Sequence, residues 1–291
     1  MGAKVQKNLH MCKKNTTFAP KIQIMDKISK AQIKMVRSLQ QKKFRDELGL
    51  FVAEGEKCVE ELCSAFELVF RVQSTEKGAQ NTEHRAQSDL LWASPTEIEQ
   101  MSGLRTPQGV IAVFRKKNTD RFADVQHIDQ LCLALDGIQD PGNLGTIIRT
   151  CDWFGVHDIY CSQDTADCYN PKVVQATMGA LARVRVHYVN LVEWLKEYRA
   201  QNTEHRPIYG TLLEGKDMYE VLADKSQLTN HDAQIIVMGN EGNGISEAVR
   251  SLVTHPIRIP SYPKNKEASD VVESLNVSIA TAIVLAEFRR V

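Results

Sequence analysis

The sequence has no Cys-x-x-Cys pair and no closely spaced Cys/His ligand pairs, although it holds seven cysteines. Zinc sites are built from such pairs, so no metal is expected. An odd set of scattered cysteines reads as free, mostly buried thiols. No apolar run approaches the roughly 20 residues that cross a bilayer; a stretch such as Ala282–Ala286 fits a buried helix. The first twenty residues carry lysines but lack the apolar core of a secretory leader. A cytoplasmic protein without membrane contact is therefore expected. Net charge is absent too, with 36 basic residues against 36 acidic ones. Also missing are the Gly-x-Gly-x-x-Gly dinucleotide fingerprint and a nucleoside-triphosphate loop with its lysine.

What is present is an ordinary soluble composition, 43% hydrophobic and 25% charged, over 291 residues. That length favours two globular units. Charge is unevenly spread: residues 1–50 hold twelve Lys or Arg against Asp26, Asp46 and Glu47. This suits a polyanion or, equally, a solvated tail and helix face. Residues 1–20 read as a basic tail and 21–117 as a small α/β unit. In that unit Ile33, Val36 and Leu39 repeat at helical spacing, with Lys34, Arg37, Lys42 and Lys43 around them. Further on, Ser94, Pro95 and Glu97 spell a capping box with proline at the first helical position. Residues 118–130 read as the connection.

From Leu131 to Val291 short buried strands alternate with helices, predicting a parallel sheet covered on both faces. The expected strands are Leu131–Asp136, Asp158–Cys161, Arg183–Val189, Ile208–Leu213, Gln234–Gly239 and Pro256–Pro260. The expected helices span Leu144–Phe154, Pro171–Leu181 capped by Asn170, Leu191–Ala200, Ser246–Leu252 and Val277–Phe288. Ligands of such sheets bind beyond the carboxyl ends of the strands. The heptapeptide Ala-Gln-Asn-Thr-Glu-His-Arg occurs twice, at 79–85 and 200–206, and has no physical account.

Three loops carry candidate chemistry. In Asp136–Thr150 (DGIQDPGNLGTIIRT), Pro141 and Gly142 force a turn, Asn143 is placed to cap a helix, and Gly145 permits close backbone approach. Arg149 falls off the apolar stripe of that helix. It either pairs with Asp152 or clamps a phosphate or carboxylate. The second loop, Val237–Ser246 (VMGNEGNGIS), has glycines that would let a ligand lie against main-chain amides, with Glu241 among them. In the third, Ser274 or Asn276 caps the last helix, and Arg289 and Arg290 suit its C-terminal end.

Together these loops (LALDGIQDPGNLGTIIRTCDWFGV, IIVMGNEGNGIS and ESLNVSIATAI) resemble the three motifs of the SpoU/TrmH family of RNA ribose 2′-O-methyltransferases. The N-terminal part, through KKFRDELGLFVAEGEK and TPQGVIAVF, is similar to the ribosomal-protein-like substrate-binding domain attached to these enzymes. The resemblance implies a trefoil-knotted α/β methyltransferase domain, S-adenosylmethionine as cofactor, a homodimer, and an RNA substrate. Ribosomal RNA is favoured over transfer RNA. It assigns catalysis to Asn143, Arg149, Glu241, Ser274 and Asn276. It assigns cofactor binding to Thr211, Leu212, Gly239, Ile259 and Leu275. Between Pro260 and Ser274 the chain departs from the family, with a longer link (SYPKNKEASDVVE) that lacks the usual methionine and glycine. A non-catalytic RNA-binding or ribosome-assembly factor on the same fold is the competing reading. A nicotinamide enzyme would need the missing glycine fingerprint.

Overall fold

The structure is a computed structural model that describes residues 26–75, 89–117, 131–200, 207–223, 234–262 and 274–290. The proposed tail, the connection and most of the link after Pro260 lie outside the described residues, as does the repeated heptapeptide apart from Ala200.

The first sheet combines β1 (Asp26–Lys27), β2 (Leu50–Glu54), β3 (Leu68–Ser74), β4 (Leu90–Ala93) and β5 (Val110–Arg115) in the order β1-β4-β3-β5-β2. Its helices are α1 (Lys30–Ser38), α2 (Lys42–Leu48), α3 (Glu56–Cys63) and α4 (Pro95–Met101). Ser29 caps α1 in a reciprocal box with Gln32, and Ser94 caps α4 with Glu97 in the same way. The helical period at Ile33, Val36 and Leu39 is used as expected, but it does not extend to Lys42 and Lys43. The chain turns after Leu39, and those lysines open a second helix. Its fully buried side chain is Arg45, so α2 offers no apolar stripe to read.

The second sheet is built from β6 (Leu131–Asp136), β7 (Asp158–Cys161), β8 (Arg185–Tyr188), β9 (Ile208–Asp217), β10 (Gln234–Gly239) and β11 (His255–Arg258). The order is β11-β9-β10-β6-β7-β8, with every neighbouring pair parallel. The helices are α5 (Pro141–Trp153), α6 (Pro171–Thr177), α7 (Leu191–Ala200), α8 (Met218–Val221), α9 (Glu247–Arg250) and α10 (Val277–Phe288). Leu133 and Leu135 of β6 join the core beneath α5, α6 and α10, while Cys132 and Ala134 join Trp194, Leu195 and Tyr198 of α7 on the other face. Both faces are thus covered, and near-continuous apolar strands result.

Several boundaries move. α6 ends at Thr177 because Met178 and Gly179 adopt positive φ (51° and 93°), and a short 3-10 turn, Ala180–Ala182, follows. β9 continues to Asp217, four residues past Leu213. Gly215 allows this, since a side chain there would sit 2.4 Å from the backbone of Ile257. The Ser246–Leu252 helix shrinks to the single turn α9.

The two sheets share one core. Phe51, Phe66 and Phe114 pack with Tyr169, Val173, Val174 and Leu181, and the Phe51 and Tyr169 rings lie 4.8 Å apart. Across this junction Arg45, 1% exposed, donates from Nε and Nη2 to Asp167 Oδ2 at 3.0 and 2.7 Å. Its Nη1 donates to the carbonyls of Leu39 and Gln40. Arg183 joins Glu61 of α3 to Asp152 of α5. Cys58, Cys132, Cys151, Cys161 and Cys168 are buried free thiols and Cys63 is exposed. Among the described residues no helix is long and apolar enough to cross a membrane, and no group of His, Cys, Asp or Glu could hold a metal ion.

Candidate active site

The order of the second sheet decides where the loops meet. From β6 the chain winds outward through β7 and β8, then returns so that β10 lies against the other side of β6. Asp136 and Gly239, the last residues of these strands, are paired neighbours. The loops that leave them must converge.

α5 begins three residues before the expected start. Asp140 is its N-cap, accepting from the Asn143 amide, with Pro141 at the first position. Asn143 therefore lies inside the first turn rather than capping it, and its side chain is free for other partners. Its Nδ2 donates to Glu241 Oε1 at 2.9 Å, while its Oδ1 accepts from Asn276 Nδ2 at 2.9 Å. Asn276, not Ser274, caps α10. Its Oδ1 accepts from the amides of Ser278 and Ile279, and its Nδ2 also reaches Glu241 Oε1 at 2.6 Å. A third donor to that oxygen is the Val277 amide at 3.2 Å. One exposed carboxylate oxygen thus ties together segments 98 and 35 residues distant in sequence.

Asn240, which sequence reasoning passed over, holds this arrangement. Its Nδ2 donates to the Gly137 carbonyl at 2.6 Å, and its Oδ1 accepts from the amides of Gly242 and Asn243. The same side chain folds the Glu241 loop and fastens it to the loop after β6. Asp136 accepts from the Ser246 amide, and Ser162, bonded to Asp164, accepts from the Gly137 amide. An asparagine beside glycines is the usual signature of such a local turn, so the signal was present.

Arg149 is not part of this cluster. It lies about 9 Å further along α5 and about 120° around its axis. It is exposed and has no ion pair among the described residues. The pairing with Asp152 does not form, because Arg183 occupies that carboxylate. Ser274 is exposed and likewise has no bonded partner among the described residues. Arg289 donates to the carbonyls of Phe154 and Gly155, away from α10, whereas Arg290 pairs with Glu287 in the last turn of α10.

The remaining candidates lie on or beside three neighbouring strands and just before α10. Thr211 and Leu212 of β9 lie beside β10, whose last residue is Gly239, and Ile259 follows β11 on the far side of β9. Thr211 Oγ1 donates to the Val237 carbonyl at 3.3 Å. A side chain at 239 would come within 2.3 Å of Gly244 and Ile245 backbone atoms, so the loop folds directly over the strand end. Leu213 and Leu275 are 68% and 47% exposed, unusually wet for leucines.

Fold and geometry define a class: an α/β protein with a polar site at the carboxyl ends of a parallel sheet, assembled from three converging segments. The chain belongs to the SpoU rRNA Methylase family, which matches residues 130–286, and residues 30–112 match the MRM3-like substrate binding domain. It is similar to the 23S rRNA (guanosine(2553)-2′-O)-methyltransferase RlmP of Bacillus subtilis, 26% identical over 258 residues that cover 89% of this chain and 96% of that protein. It is also similar to the structure of a TrmH-family protein from Porphyromonas gingivalis, at 36% identity and a TM-score of 0.74 over 90% of this chain and 98% of that one. An AdoMet-bound rRNA methyltransferase from Sinorhizobium meliloti is similar at 27% identity and a TM-score of 0.72, over 91% and 97% of the two chains.

The strand ends suit a nucleoside cofactor. Exposed Leu213 and Leu275 offer apolar surface for a base, and the strand-end main chain offers polar groups for its edges.

Proposed function

We propose that the protein transfers a methyl group from S-adenosylmethionine to a ribose 2′-hydroxyl of RNA, ribosomal RNA being the substrate class that the similar Bacillus subtilis enzyme indicates. The observation that carries this reading is the Asn143–Glu241–Asn276 cluster at the sheet's switch point, inside the segment that matches the methylase family. In this reading residues 131–291 are the methyltransferase domain, 21–117 the RNA-binding domain, 118–130 the linker and 1–20 a basic tail.

Thr211, Leu212, Gly239, Ile259 and Leu275 would hold the cofactor, which supplies a methyl group already made electrophilic by its sulfonium. The protein's task is to bring a weakly nucleophilic hydroxyl into line and assist loss of its proton. Glu241, fixed by three donors, keeps the loops after β6 and β10 and the start of α10 in one arrangement. A guanidinium is a planar fork and a poor base, so Arg149 draws an RNA phosphate into place or polarises the hydroxyl. Its freedom from any ion pair among the described residues supports that role. Ser274, two residues before the cap, completes the set.

A trefoil knot belongs to the same reading, supported by the way Asn276 is bonded to both preceding loops. So does a homodimer. Trp153, 85% exposed on α5, and Ile279, 55% exposed on the neighbouring α10, support it. A cytoplasmic location is part of the same reading.

The test is incubation of the purified protein with radiolabelled S-adenosylmethionine and protein-free ribosomal RNA, followed by alkaline hydrolysis. Label recovered in alkali-resistant dinucleotides is the expected result. RNA binding without cofactor binding or methyl transfer would instead favour a non-catalytic factor.

A further inference from the structure

The first two turns of α1 are built against the usual rules of helix electrostatics. Lys30 occupies the first helical position, where the helix dipole favours acids, and no acid lies in that turn. Lys34 and Arg37 follow at i+4 and i+7, stacking like charges on one face, an arrangement that costs a few tenths of a kcal/mol per pair. None of the three has an ion pair among the described residues. Such local conflicts in an otherwise well-capped helix mark a surface shaped by a ligand rather than by folding.

These three side chains line one wall of a groove of about 570 Å³ between α1 and α4, with Ile33 in its floor and Glu97 and Gln100 opposite. The one carboxylate in it is already committed: Glu97 pairs with Lys27 at 3.2 Å and accepts from the Ser94 amide and hydroxyl. The groove therefore presents uncompensated positive charge. The row from residue 30 to 37 rises about 10 Å, over which one nucleic-acid strand offers roughly three phosphates. A protein partner fits less well, because interface cores are depleted in lysine and carry aromatic anchors, and this groove has none.

We propose that the α1–α4 groove is the track along which the protein grips the RNA phosphate backbone, an inference that rests on RNA being the substrate. The groove is held in register with the methyltransferase sheet. Leu39 and Gln40, at the end of α1, accept from Arg45, whose other nitrogens grip Asp167. RNA in the groove is thus presented to the site at a fixed offset.

The experiment compares the full-length protein with Lys30→Gln/Lys34→Gln/Arg37→Gln and with a control, Lys196→Gln on α7. A fluorescent 30-nucleotide RNA stem-loop is titrated by anisotropy across a series of KCl concentrations. The triple variant should lose about tenfold or more in affinity, and its slope of log affinity against log salt should shrink by about 2 to 3, near the change for three lost phosphate contacts. S-adenosylmethionine affinity and helical circular dichroism should match the wild type, which separates loss of the track from loss of fold. An unchanged affinity and slope would overturn the proposal. So would retained RNA binding together with lost binding of poly-glutamate, which would identify an acidic protein as the occupant. If the slope shrinks as expected but the wild type transfers no methyl group, the groove stands and the methyltransferase reading falls.

Discussion

Glu241 Oε1 has three donors aimed at it, and hydrogen bonds to an ionised acceptor are about twice as strong as neutral ones. Glu241→Gln keeps the shape but loses that charge, loosening three segments at once. Turnover is expected to fall about 100-fold, the cost of a misplacement near 1 Å, while calorimetric S-adenosylmethionine affinity stays within about threefold. Equal loss of both would count against a positioning role. A second residue-scale expectation concerns Asp158. Burial pushes its pKa up, but bonds from His187 and Arg185 override this and hold it lowered from 3.8 to about 2. A depressed carboxylate contributes stability above pH 4 that disappears as pH falls through about 2. Asp158→Asn should therefore cost on the order of 1 kcal/mol at neutral pH, discounted for solvent screening, and the gap in urea midpoint should close toward pH 2. A gap independent of pH would show that the carboxylate's charge is not what matters. The sequence named Asn143, Glu241 and Asn276 but gave Asn143 a capping role. Asp140 took that role, and the true partner of Asn143 stands 98 residues away, beyond any local pattern.

Elements were legible where a local rule governs them. The Ser94 box, the Asn170 cap of α6 and the runs of β6, β7 and β10 follow from spacing alone. α2 was not, since its buried side chain is an arginine whose partner, Asp167, lies in the loop between β7 and α6, 122 residues away. β9 outruns the apolar segment that ends at Leu213, because Gly215 lets β11 pair with its second half. Gly145 was read as a point of close approach, and it is one: a Cβ there would lie 2.5 Å from Ala176 Cβ and 2.8 Å from the Val173 carbonyl. Those atoms belong to α6 and cannot yield without moving the helix. Gly145→Ala should thus separate α5 from α6 and destabilise the protein by about 1–3 kcal/mol. Because Asn143 rides on α5, turnover should drop as well. A variant with wild-type melting temperature would mean that the helices have slack which the contact distances deny.

At the scale of the whole molecule, composition and length announced two units but not how they are joined. The charged stretch between them read only as a connection; the two sheets share one apolar core, and Arg45 with Asp167 lies at the seam. A pair this buried obtains little net stability from its own attraction, since both ions gave up hydration, but removing one partner strands the other. The consequence is an asymmetry that can be measured. Arg45→Ala should cost about 3–5 kcal/mol in urea denaturation and also release the end of α1, whose carbonyls Arg45 satisfies. Arg45→Met combined with Asp167→Leu leaves no buried charge, so it should recover much of that loss. If the shared core makes the molecule one cooperative unit, a variant keeping only Trp92, in the first sheet, and one keeping only Trp194, on α7 against the second sheet, should report the same fluorescence transition. Two separated transitions would mean that the seam is an adhesive contact only. The groove proposed for RNA and the candidate active site would then have no fixed spacing, and the double variant should leave methylation of long RNA unaltered.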